Sequence, residues 1–339
     1  MTFLDNELRE QPAALARLLE RQADSAREVS ALFQRDDVDY VLIASRGSSS
    51  NAARYGQYLL GRAHRVPVAF ATPSLYTLYE QPPRLKGALV IGISQSGESP
   101  DVRSVVEEAR RQGRPTIALT NMPGSPLARA ADAVLPLEAG EEQSVAATKT
   151  YLNSLGALAL LFATATKDDH ALVELEGMPS QVAAQLERSQ ADVDALDGLD
   201  AITGGTVVAR GITFGTAYEI ALKVRELSGL LFEAYSSADL MHGPVAAITP
   251  NWPVVAIAPS GPAHASMQDA IDALSARGAR LYVIGEAPGA ALPLVPGVPE
   301  WLSPLTAVIP GQLLAKRIAE LRGADIDRPG GLSKVTLTR

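Results

Sequence analysis

The sequence predicts an α/β protein of two tandem domains, each a parallel sheet flanked by helices. Three observations carry this expectation. Short apolar runs alternate with helical stretches, as in βαβ units. The runs are apolar throughout rather than at every second residue, as in strands buried on both faces. The order of runs in the first half recurs at an offset of about 165 residues, one domain's length.

The opening stretch from Asp5 to Leu32 is amphipathic, and Glu10-Gln11-Pro12 suggests a helix that begins at the proline. Tyr40-Val41-Leu42-Ile43-Ala44 reads as the first strand and ends in Ser45-Arg46-Gly47-Ser48-Ser49-Ser50, after which a helical pattern follows. Gly87 to Ile93 reads as a strand, Ser94 to Ser99 as a loop and Val102 to Gln112 as a helix. Pro115 to Thr120 and Ala133 to Leu137 are two further strands. The longest apolar run, Leu155 to Ala165, is too short to span a bilayer and reads as a buried helix. The join is expected between Asp168 and Asp200, in helices, with Gln181 to Asp200 as a solvated helix face. This gives domains at 1–180 and 181–339.

In the second half, Thr206-Val207-Val208-Ala209-Arg210-Gly211 echoes the first strand and its glycine. Pro253 to Ala258 echoes the Ala88 to Ile93 strand. Ala276-Arg277-Gly278 leads into the strand Leu281 to Ile284, as Gln112-Gly113 leads into Thr116 to Leu119.

Composition narrows the function classes. Apolar residues make up 47% of the chain, enough for a core in each half, while the net charge of −8 disfavours nucleic acid and anionic membranes. An anionic substrate then needs a local device such as the N–H groups of a helix start. The absence of cysteine excludes disulfides, thiolate metal sites and a cysteine nucleophile, and agrees with a reducing compartment. Met1-Thr2-Phe3-Leu4-Asp5 has no basic segment followed by an apolar core, so a soluble, cytoplasmic protein is expected. The histidines lack metal-ligand spacing. No metal site and no other cofactor is expected.

Two loops carry candidate chemistry. Ser94-Gln95-Ser96-Gly97-Glu98-Ser99 follows a strand and opens a helix, where parallel sheets place ligands. Its hydroxyls and the free N–H groups of the helix start suit a phosphate. Alone it reads equally well as a capped structural loop. The neighbouring Gly47-Ser48-Ser49 strengthens the phosphate reading. The corresponding second-half loop, Pro259-Ser260-Gly261-Pro262, has lost most of its hydroxyls, so one functional site per pair of domains is expected.

Glu219, Lys223 and Glu226 share one helical face at i, i+4 and i+7. A surface salt-bridge ladder would look the same. The apolar residues Ile220, Leu222, Val224 and Leu227 favour a packed helix, where a half-buried carboxylate could move protons on carbon. His242 lies at a turn and reads as structural or catalytic. His64, His170 and His264 read as surface residues. Lys149 and Lys334 are uninformative by position, although a lysine amine can form an imine with a keto sugar.

These residues resemble a known family. Gly47-Ser48-Ser49 and Ser94 to Ser99 are similar to the phosphosugar loops of SIS (sugar isomerase) domains. Glu10-Gln11-Pro12, Ser144 to Lys149, Glu233 to Pro244 and Asp327 to Lys334 then occur in order over essentially the whole chain. Together they resemble the isomerase half of glutamine–fructose-6-phosphate aminotransferase (glucosamine-6-phosphate synthase). The resemblance implies two flavodoxin-like SIS subdomains and a homodimer. It implies that Ser94, Gln95, Ser96 and Ser99 hold the phosphate, with Gly47, Ser48, Ser49, Val145, Ala146 and Ser333 also binding the sugar phosphate. It makes Glu226 the base between C1 and C2, Lys223 its helper, and Lys334 the imine-forming lysine. His242 would open the ring and reach the site from the neighbouring subunit.

The synthases also carry a glutaminase domain with a catalytic cysteine, for which this sequence has neither cysteine nor room. Ala147 and Ser99 stand where synthases usually have serine and threonine. The expected reaction is therefore that of the synthase-like glucosamine-6-phosphate deaminases: glucosamine 6-phosphate and water give fructose 6-phosphate and ammonia. The alternatives are a glutaminase-less synthase-type isomerase, another ketose/aldose phosphate isomerase, a deglycase, and a non-catalytic sugar-phosphate sensor. Retention of Glu226, His242, Lys223 and Lys334 argues against the sensor, since binding alone needs only the serine loops. No helix-turn-helix or basic segment is evident before the first domain.

Overall fold

A computed structural model describes residues 2–166 and 168–334. It comprises two compact units. The first holds residues 10–142, 149–166, 168–177 and Ser333–Lys334. The second holds residues 2–9, 143–148 and 178–332.

Helix α1 (Phe3–Ser30) begins well before the proline at which the sequence placed its start, and Pro12 lies inside it. A proline removes one rung of the hydrogen-bond ladder. The helix runs through because Leu4, Leu8, Leu15 and Leu18, all at most 3% exposed, form one apolar stripe on both sides of it. Its real start is a capping box. Asp5 N–H donates to the Thr2 hydroxyl, and Thr2 N–H and Oγ1 donate back to the Asp5 carboxylate. The Asp327 carboxylate accepts from the N–H groups of Phe3 and Leu4 at 2.9 and 2.8 Å.

Burial works against the Asp5 charge, but hydrogen bonds from Lys316 and Thr2 outweigh it and hold the carboxyl below its ordinary value. A carboxyl depressed in the folded state stabilises the fold above its unfolded pKa, and that contribution is lost as pH falls through the folded value. The Asp5→Asn variant is expected to lose less stability than wild type between pH 5 and pH 3, read from urea unfolding at each pH.

In the first unit, β1 (Tyr40–Ser45), α2 (Gly47–His64), β2 (Val68–Phe70), α3 (Ser74–Thr77), β3 (Ala88–Ile93), α4 (Pro100–Arg111), β4 (Thr116–Thr120), α5 (Pro126–Ala130) and β5 (Ala133–Pro136) follow in order. The five strands form a parallel sheet ordered β2-β1-β3-β4-β5. α6 (Lys149–Thr166) and α7 (Asp169–Glu176) complete the unit. Val102, Val105, Val106 and Ala109 of α4 sit at i, i+3, i+4 and i+7 and pack with Val90 of β3 and Ala118 of β4. Each such valine, fully buried, contributes about 1.5–3 kcal/mol. α6 is buried all round from Lys149 to Ala163, in line with its apolar sequence.

The second unit contains α8 (Met178–Asp194), β6 (Gly204–Ala209), α9 (Phe214–Ser228), β7 (Leu231–Ser236), α10 (Ser237–Met241), β8 (Pro253–Ala258), α11 (His264–Ala276), β9 (Arg280–Gly285), β10 (Leu292–Pro293) and α12 (Ser303–Leu321). Its sheet is again parallel and runs β10-β9-β8-β6-β7. With strands renumbered within the unit, both sheets have the order 2-1-3-4-5 of flavodoxin-like folds. α7 ends at Glu176 and α8 begins at Met178, where the chain passes from the first unit to the second.

β2, β7 and β10 escape a search for apolar runs. The first two are sheet edges that are only partly buried, and β10 has two residues. Two histidines differ from expectation: His264 is half-buried, with Nδ1 3.2 Å from the Pro259 carbonyl oxygen, and His64 is half-buried as well. His64 is not a plain surface residue: its ring stacks on Phe33 with centroids 4.4 Å apart, and burial lowers its pKa. Among the described residues no helix is long and apolar enough to cross a membrane.

Candidate active site

The two serine loops leave the carboxyl ends of β1 and β3, paired neighbours at which the strand order reverses. That switch point is where open parallel sheets bind ligands. Gly47, Ser48 and Ser49 form the first turn of α2, and Ser99 is the N-cap of α4. Neither helix start is capped by a side chain. Their positive dipole ends suit an anion, and at α4 the Val102 N–H is already taken by the Asp101 carboxylate.

The second loop is curled by its own hydroxyls. Ser94 Oγ accepts the Gly97 N–H at 3.1 Å and lies 3.5 Å from Ser99 Oγ. Ser96 Oγ accepts the Glu98 N–H at 3.3 Å. Gly97 has φ +65°, and a Cβ there would come within 2.0 Å of Ser125 Oγ, so the glycine serves this close approach within the unit. Ser94 is buried, while Gln95, Ser96 and Ser99 are half-buried.

Lys334 belongs to the same unit. Its Nζ lies 2.7 Å from the carboxylate of Glu142, whose side chain is fully buried. Glu142 also accepts from Thr150 N–H at 3.1 Å and Thr150 Oγ1 at 2.7 Å, at the start of α6. A carboxylate that receives charge-assisted hydrogen bonds in a dry pocket fixes its cation firmly. Ser333 beside it is exposed. In the same unit, buried Lys149 pairs with Glu10 at 2.5 Å, which accounts for the first residue of the Glu10-Gln11-Pro12 block. Sequence reasoning missed Glu142. Its only local signal was an acidic residue ahead of an apolar helix.

The proton-moving candidates lie in the second unit. Lys223 is 1% exposed and Glu219 0%, and Lys223 Nζ stands 3.4 Å from Glu219 and 2.5 Å from Glu226. Glu226 retains 24% of its exposure. This is a packed ion cluster on α9 rather than a solvated ladder. Val145 and Ala146 are held from both sides. The buried Glu7 carboxylate accepts from Ser144 N–H and Oγ and from Gln143 N–H, and Val145 N–H donates to Asp327 C=O at 3.2 Å. His242 is exposed at the end of α10, a short helix capped by Ser236, whose Oγ accepts the Asp239 N–H at 3.1 Å.

A family model described as the SIS domain matches residues 37–164 and 206–293, more than half of the chain. The chain belongs to the SIS domain family. The glutamine–fructose-6-phosphate aminotransferase [isomerizing] of Gluconobacter oxydans is 32% identical over 98% of the chain. The SIS chain spans 58% of that relative's length. A crystal structure from Silicibacter pomeroyi DSS-3, of a protein described as a phosphosugar isomerase, is 32% identical. It matches with a TM-score of 0.86 over 96% of the present chain and 99% of its own. The C-terminal domain of glucosamine-fructose-6-phosphate aminotransferase from Francisella tularensis matches with a TM-score of 0.87 at 26% identity. That match covers 97% and 98% of the two chains.

The two SIS repeats differ where the first has its second serine loop. In the second repeat, Ser260 N–H and Oγ donate to the Glu286 carboxylate at 3.3 and 2.9 Å. A Cβ on Gly261 would lie 2.6 Å from Glu300 Cβ. The second SIS repeat thus presents its own carboxylates at this loop, which would repel a phosphate.

Proposed function

We propose that this chain interconverts the aldose and ketose forms of an aminosugar phosphate, and that it releases ammonia from glucosamine 6-phosphate. The observation that carries the enzymatic reading is Lys334, held at 2.7 Å on a fully buried carboxylate in the unit that bears both serine loops. A sensor needs the loops alone, whereas a lysine tethered in the same unit supplies an amine for chemistry on a sugar carbonyl.

In this reading the serine loops hold the phosphate. Val145, Ala146 and Ser333 line the sugar, and Lys334 serves the open-chain carbonyl. Glu226 takes the proton from C2, giving an enolamine, and returns a proton at C1, leaving an iminium at C2. Water adds to C2 and ammonia departs, which yields fructose 6-phosphate with all atoms balanced. Lys223 holds Glu226 in place. His242 opens the ring, supplied by the partner subunit of a homodimer; a monomer with full activity would remove this last part.

The names of the relatives, an aminotransferase acting on fructose 6-phosphate and a phosphosugar isomerase, support the substrate class. The Silicibacter relative also favours a second reading, a ketose/aldose phosphate isomerase without deamination, because it matches over nearly its whole length.

The Ser96→Ala variant tests the phosphate assignment. Loss of one hydrogen bond to a charged group is worth about 1.5–3 kcal/mol, so KM is expected to rise about 10- to 100-fold with kcat little changed. An unchanged KM would mean that the loop does not hold the phosphate.

A further inference from the structure

The serine hydroxyls are neutral, yet a buried carboxylate stands among them. Asp101 lies in the first turn of α4, directly after Pro100, and its side chain is 1% exposed. Its Oδ1 accepts the Val102 N–H at 2.8 Å, and its Oδ2 accepts from Arg46 Nε at 2.6 Å. Arg46 is the N-cap residue of α2, immediately before Gly47-Ser48-Ser49, and half of its side chain is exposed. The ion pair therefore ties the β1–α2 loop to the start of α4, across strands that pair with Ser45 opposite Ile93.

A phosphate brought to these helix starts meets the Asp101 charge. Like charges in a poorly solvated pocket destabilise one another unless a cation accompanies them. We propose that Arg46 is the positioning residue of the phosphate site: it neutralises Asp101 and locks the two serine loops in register for one sugar phosphate. This rests on the reading of those loops given above and adds the cation that reading lacks. Arg46 acts through Asp101 and the loop backbone, so its role requires no contact with the sugar.

Wild type, R46M and R46M/D101N are compared in sugar-phosphate turnover and, separately, in thermal shift with inorganic phosphate alone. R46M is expected to raise KM by about tenfold or more, with kcat little changed, and to shrink the phosphate-induced shift. R46M/D101N is expected to recover most of that loss, because the uncompensated carboxylate is gone. A purely structural role would move the melting temperature without this recovery of binding. R46Q keeps an N–H within reach of Asp101 and should show the same rise in KM if R46M folds poorly. A wild-type KM and phosphate shift in R46M, or a double variant as weak as R46M, overturns the proposal. Should wild type turn over no sugar phosphate while the phosphate shifts follow this pattern, the reaction assigned above fails and the role of Arg46 stands.

Discussion

Replacing Glu226 by glutamine is expected to lower kcat by about 10²- to 10⁴-fold while sugar-phosphate binding survives. Glutamine has nearly the same shape and keeps polar atoms near Lys223, but it cannot take a proton from carbon. Lys223 retains Glu219 as a charged neighbour, so the helix keeps a partner for its buried ammonium. Binding is read from the thermal shift with fructose 6-phosphate, which reports affinity by mass action independently of turnover. A small kcat loss with an unchanged pH profile would take Glu226 out of the reaction. Loss of both binding and turnover would make it a ligand rather than a base.

Replacing Lys223 by methionine is expected to cost about 3–5 kcal/mol of stability, the typical penalty for removing one partner of a buried ion pair. The expectation follows from burial: Lys223 is 1% exposed and Glu219 0%. Without the ammonium, the buried Glu219 carboxyl loses its ion-pair partner and must either carry an uncompensated charge or take up a proton. Domains of ordinary stability have about 5–15 kcal/mol in total, so the loss is large. It should appear as a lower urea midpoint with a similar slope. Removing both charges, in Glu219→Gln/Lys223→Met, should restore much of it. A midpoint equal to wild type in the single variant would mean that the cluster is effectively solvated.

The central strands were legible because parallel strands covered on both faces are apolar along their length, as β1, β3, β4, β6 and β8 are. β2 and β7 were not, because β2 has only three residues and the edge strand β7 is interrupted by Glu233 and ends in Ser236. The start of α1 was misplaced because Pro12 outweighed the Thr2–Asp5 capping box, a signal present in the sequence. The serine loops could be found because strand, glycine and hydroxyls are contiguous. Glu142 and Lys334 are 192 residues apart, and Arg46 and Asp101 are 55 apart. No local pattern announces such pairs. They follow from the strand order and from the return of the tail, which only the folded chain supplies.

The most direct measurement is the release of ammonia from glucosamine 6-phosphate by the purified chain, with fructose 6-phosphate assayed in the same samples. Equal amounts of the two products, both lost in Glu226→Gln, are the predicted result. No ammonia and no interconversion of any amino or keto sugar phosphate, by a chain whose thermal shift still registers sugar phosphate, would contradict the enzymatic account and leave a binding protein.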